Sequence, residues 1–195
     1  MNRRIHAEKP AERAAFFKPP TPNAELSIIA LVPPDTFRLS AAEGWLDLGN
    51  PAEAQADIDR IRPAFRAHPD VLQVKYQICS ALDKWPEAMI ICRTLAHIAP
   101  ERLFGWLNLS VALYKMDRPG EAIEVLRPAI ERFRGDPLLR YAMARCECRL
   151  GRLDRALAWL HDAMDMGDPF QFLSAALRDP GLAPLWRRLE IPVKP

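Results

Sequence analysis

The chain has 195 residues and a formal net charge of +2 from 27 basic and 25 acidic side chains, enough for one good domain or two small ones and too balanced for a broad nucleic-acid-binding field. Only 6 Val and 3 Thr argue against an all-β fold, and 8 Gly with no closely spaced phosphate-loop pattern argue against a nucleotide-binding α/β enzyme. Apolar residues make up 49% of the chain, but no unbroken 18-residue apolar run exists to cross a membrane, and 19 prolines punctuate what remains.

Residues 1–34 hold six of those prolines, with five basic and three acidic side chains, so regular helix is not expected over most of this stretch. Charges fall where a signal peptide would carry its apolar core, and four cysteines are too few for a disulfide scaffold; the expected location is cytoplasmic. Two apolar islands stand out, Phe16-Phe17 and residues 26–32. The second could pack on the first helix pair as an extended cap, or dock into a groove of this or a neighbouring molecule and so make a homo-oligomer. Asp35, after Pro33-Pro34, is placed to cap the first helix.

From residue 35 a period emerges. Four phrases align: Leu48-Gly49-Asn50-Pro51-Ala52-Glu53-Ala54, Leu82-Asp83-Lys84-Trp85-Pro86-Glu87-Ala88, Met116-Asp117-Arg118-Pro119-Gly120-Glu121-Ala122 and Leu150-Gly151-Arg152-Leu153-Asp154-Arg155-Ala156. Their closing alanines recur at 34-residue intervals without an insertion. Pro51, Pro86 and Pro119 suit the first turn of a second helix, where a missing N–H is harmless. Pro63 and Pro128 fall inside that helix and should bend it or end it early. The late prolines Pro69 and Pro137 suggest longer second helices in the first and third units.

This pattern resembles the tetratricopeptide repeat, a helix-turn-helix unit of the same length. The third unit is the fullest match, with Trp106, Leu109, Ser110, Leu113, Ala122 and Leu126. The resemblance implies an all-α, right-handed superhelical solenoid. Residues 35–168 would hold four repeats (35–68, 69–102, 103–136 and 137–168), behind a Pro-rich tail over 1–34. Residues 169–195 would carry a degenerate capping helix pair and a tail. There Asp168-Pro169 opens a helix presenting Phe170, Leu173 and Leu177, and Asp179-Pro180 opens a short segment with Leu182, Leu185, Trp186 and Leu189.

The family usually binds partners on the concave face lined by the first, or A, helices. By that resemblance the face would carry Thr36, Leu39, Glu43, Leu46 and Asp47, then Asp70, Gln73, Gln77, Ser80 and Ala81. Next come Phe104, Leu107, Asn108, Val111, Tyr114 and Lys115, then Leu138, Tyr141, Arg145, Cys148 and Arg149. In order, the groove would run from acidic through amide-rich and apolar-aromatic to basic. It would suit an extended or helical segment with an apolar centre and a carboxylate near Arg145 and Arg149; the alternative is that those arginines serve local ion pairs. A chaperone-tail adaptor needs a Lys/Asn clamp across three repeats, of which only Asn108 is present.

No catalytic constellation stands out. His6, His68, His97 and His161 are scattered, without metal-ligand spacing. Cys146 and Cys148 lie two apart, so on a helix they point about 200° from each other and cannot share an ion. Cys79 and Cys92 would pack as small apolar residues inside the fold. The expected function is a non-enzymatic adaptor or assembly scaffold, with no cofactor and no metal, binding a protein or peptide partner. The alternatives are a secretion-type chaperone for an unfolded partner and a homo-oligomeric structural protein using residues 26–32. With 21 Arg against 6 Lys, the composition hints at a GC-rich bacterial source.

Overall fold

The computed structural model describes residues 30–189. Within them the chain is an all-helical solenoid with no strand. Its first eight α-helices form four consecutive pairs: α1 (Asp35–Asp47) with α2 (Pro51–Asp59), α3 (Pro69–Ala81) with α4 (Trp85–Ile98), α5 (Leu103–Lys115) with α6 (Pro119–Arg132), and α7 (Pro137–Arg149) with α8 (Leu153–Met166). The odd-numbered members are the A helices and the even-numbered ones the B helices. A last helix α9 (Pro169–Arg178), a 3-10 segment (Pro180–Leu185) and one turn, α10 (Trp186–Leu189), follow.

The 34-residue register has a backbone cause. Each A helix ends on a left-handed residue: Gly49 at φ 72°, Asp83 at 53°, Asp117 at 57° and Gly151 at 73°. At each, two amide bonds fold back onto the helix, as in Gly49 N to Leu46 O (2.9 Å) and Asn50 N to Trp45 O (2.8 Å). This is the Schellman closure, which satisfies the carbonyls a helix end would leave bare. Proline then opens the next helix at Pro51 and Pro119, and close to the start of α4 at Pro86.

Packing follows from the same register. Ala54, Ala88, Ala122 and Ala156 are fully buried where the two helices of a pair cross. Trp106 is also buried, its indole N–H donating to the Pro100 carbonyl at 3.0 Å, so the polar edge of the largest core side chain is satisfied. Gly105 lets α5 lie against α4 so closely that a Cβ there would sit 2.7 Å from the Ala96 backbone nitrogen.

Several expectations are corrected. Asp35 does not cap α1, whose start has no side-chain cap. Its carboxylate is buried and reaches across the pair to Arg62, accepting from the backbone N–H at 3.1 Å and from Nε at 2.5 Å, with Arg38 3.4 Å away. The first and third B helices are not longer: α2 has 9 residues, against 14 in each of α4, α6 and α8. Pro69 and Pro137 instead begin A helices, next to the caps His68 and Asp136. Pro63 lies beyond the end of α2 and starts a 3-10 turn (Pro63–Phe65), whereas Pro128 stays within α6.

The cap also faces differently. Asp168 caps α9, accepting from the N–H groups of Phe170 and Gln171. That helix buries Phe172 and Ala176 and packs the half-buried Leu173 against the cluster that holds Ala176, while Phe170 is 83% exposed and Leu177 is exposed too. The 3-10 segment buries Leu182 and Leu185 against Ala144, Cys148 and Leu160. The apolar segment 26–32 falls mostly outside the described residues; within them, Leu31 packs against the first core cluster and Val32 is exposed.

Candidate functional site

The A helices align the candidate side chains. Glu43 and Asp47 come from α1, Gln73 and Gln77 from α3, and Phe104, Leu107, Asn108, Val111, Tyr114 and Lys115 from α5. Tyr141, Arg145 and Arg149 come from α7. Spacings of three and four hold each set on one stripe of its helix. All thirteen are exposed or half-buried, as a binding strip requires. Two other residues expected on the face are not available. Leu39 belongs to the first core cluster, and Cys148 is buried beneath Leu182 and Leu185.

Local contacts hold parts of the strip rigid. Phe104 meets Tyr76 edge-on, with ring centroids 5.4 Å apart. The Asn108 amide donates back to the Phe104 carbonyl at 3.0 Å. The Lys115 ammonium lies 5.4 Å from the Trp85 ring centre. Leu107, Val111 and Tyr114 form the half-buried apolar centre.

The C-terminal end is occupied by the chain itself. Asp179 places Oδ2 2.7 Å from Arg145 Nε and accepts a hydrogen bond from the Tyr141 hydroxyl at 3.1 Å. Its other oxygen accepts from the Gly181 N–H at 2.8 Å. The Arg145 guanidinium stacks over the Tyr114 ring at 4.4 Å, and Gly181 lies so near the Tyr114 hydroxyl that no Cβ would fit. Arg149 pairs with Asp117 at 2.9 Å, both largely exposed. The two arginines expected to be free for a partner's carboxylate therefore have carboxylates already. Sequence reasoning missed Asp179 because it lies outside the 34-residue register; the Asp179-Pro180 pair, read only as a helix start, was the available signal.

Burial pushes the Tyr114 and Tyr141 hydroxyls up, and the Asp179 charge adds to both, so each stays a hydrogen-bond donor at neutral pH. Burial likewise raises the Cys92 thiol and pushes Cys146 up to about 12, which keeps both from acting as nucleophiles. His97 and His161 are exposed, and no group of three or more metal-binding side chains comes together among the described residues. Nor, among them, is any helix long and apolar enough to cross a membrane.

Part of the chain matches a known repeat family, and its fold matches solved structures. The tetratricopeptide repeat profile matches residues 113–169, from the end of α5 to the start of α9. That segment carries the tetratricopeptide repeat signature. Solved structures share the chain's solenoid. A MamA fragment from Desulfovibrio magneticus RS-1 superposes with a TM-score of 0.64 at 16% identity, over 75% of this chain and 83% of that one. TTC0263, a tetratricopeptide protein of Thermus thermophilus, gives 0.61 at 19%, covering 73% and 81%. YrrB, described as a tetratricopeptide protein with an unusual peptide-binding site, gives 0.57 at 16%, covering 78% and 82%. At such identities the likeness is one of fold. No curated protein matches this chain by sequence.

Proposed function

We propose that the protein is a non-enzymatic interaction module, an adaptor or scaffold, that holds an extended or helical partner segment along the A-helix strip. One observation carries this reading: Leu107, Val111 and Tyr114 form a half-buried apolar stripe on α5, between an acidic end at Glu43 and Asp47 and an amide-rich stretch at Gln73 and Gln77 on one side and Tyr141 on the other. A few such anchors supply most of the affinity at an interface. The peptide-binding site attributed to YrrB, on the same fold, supports it.

The structure alters the charge preference. Arg145 already holds Asp179, so the partner's carboxylate is not expected there. Glu43 and Asp47 are exposed and favour a basic residue at the opposite end. In this reading residues 35–168 hold the partner, residues 169–195 close the array, and the site of action is cytoplasmic. Photocrosslinking tests it. A crosslinker at Val111 should give partner adducts, and one at Ile90, exposed on α4, should not. Equal adducts from both positions would remove the strip from the account.

A further inference from the structure

Pro128 lies inside α6, one turn before its end. A proline there has no N–H to donate to the carbonyl four residues back, so the Glu124 carbonyl lacks that intrahelical donor. Beside Pro128 opens a cleft of about 510 Å³ between the B helices α6 and α8, floored by α7. This volume falls in the range of ligand sites. It lies off the A-helix strip, because on α7 Met143 and Glu147 line the cleft, whereas Tyr141, Arg145 and Arg149 occupy a stripe two residues out of phase.

The lining has two parts. Ile123, Ile130 and Met143 supply an apolar floor, with the half-buried Trp159 as its aromatic wall. Arg127 and Arg155 stand at the rim, both exposed. The acidic side chains nearby are already matched: Glu147 holds Arg152 at 3.1 Å and Glu131 holds Arg134 at 3.4 Å. Arg127 only approaches Glu124, at 3.9 Å. The rim therefore offers cationic forks above an apolar, aromatic pocket, which complement a carboxylate attached to a bulky apolar group.

We propose that this cleft is a second binding site, separate from the A-helix strip, that takes an apolar carboxylate with a phenyl-sized body. A free small acid and the C-terminal residue of a polypeptide both present that chemistry. The full chain, labelled with 15N, is titrated with 3-phenylpropionate, its uncharged amide, and a hexapeptide ending in phenylalanine with a free carboxylate.

The acid should move the Trp159 indole resonance with a Kd of about 1 mM, as expected of a fragment-sized ligand. It should bind about fivefold tighter than the amide. The Arg127→Gln/Arg155→Gln variant, altered only at exposed positions, should lose that preference. Tighter binding of the hexapeptide assigns the site to a polypeptide C-terminus, and equal binding assigns it to a small acid. Equal affinity for acid and amide, no shift of Trp159, or shifts centred on Tyr114 and Tyr141 would overturn the proposal.

Discussion

Arg145 on α7 and Asp179 at the mouth of the 3-10 segment form an ion pair, 2.7 Å from Nε to Oδ2, that closes the end of the A-helix strip. Both side chains are mostly shielded, and Tyr141 donates to the same carboxylate oxygen. Removing Asp179 leaves a shielded arginine without its counter-ion and a tyrosine hydroxyl without its acceptor. Asp179→Ala should destabilise the chain by about 2 kcal/mol in urea unfolding, the scale of a hydrogen bond to a charged group. In a double-mutant cycle with Arg145→Ala, the losses should fall short of additive, since the second change removes a partner already lost. Strict additivity would mean that the pair is not coupled.

The turns that repeat every 34 residues predict opposite responses at equivalent positions. Gly151 sits at φ 73° with open space around it, so alanine there meets backbone strain alone. Gly151→Ala should cost about 1–2 kcal/mol. Asp83 adopts φ 53° as a non-glycine residue. Asp83→Gly should relieve that strain and be neutral or slightly stabilising. Urea midpoints of the two variants check the contrast.

Gly105→Ala sets helix propensity against space. Propensity alone favours alanine by about 1 kcal/mol. The added Cβ, however, would lie 2.7 Å from a backbone nitrogen of α4, which cannot rotate away. Overpacking of this kind costs about 1–3 kcal/mol. The expected result is a lower thermal midpoint, and a rise would show that α4 and α5 separate easily.

Asp35 gives the first helix pair a pH dependence. Burial alone would raise its carboxyl, but the Arg62 backbone N–H, the Arg62 guanidinium and the Arg38 charge outweigh it and hold it below the usual value. The folded carboxyl thus binds its proton more weakly than the unfolded one. Its stabilising effect is present above the unfolded value of about 4 and is lost as pH falls toward the lower folded value. Stability measured across that acid range should fall less steeply in Asp35→Asn than in wild type.

Much of this architecture was legible because it is local and periodic. The alanines at helix crossings, the prolines at helix starts and the turn positions share one register, and a regular register is visible in a string of letters. What lay off the register was not legible. Asp35 looked like a cap because an acidic residue after prolines fits that role, and only the fold brings Arg62 to it. On α9, Phe170-Leu173-Leu177 and Phe172-Ala176 are both valid helical stripes. The choice between them depended on which side α8 covers, and Phe172 packs beside Tyr141. The strip residues share one face because their spacing is helical, but the internal carboxylate at Arg145 follows from how the cap folds back.

The central claim is that partner binding depends on the apolar stripe of α5. It is tested most directly by capture from the native host with wild type and the Leu107→Asp/Val111→Asp variant side by side, after matched thermal melts establish that both are folded. The account predicts that the partner retained by wild type is lost by the variant. Equal retention by both proteins would contradict it.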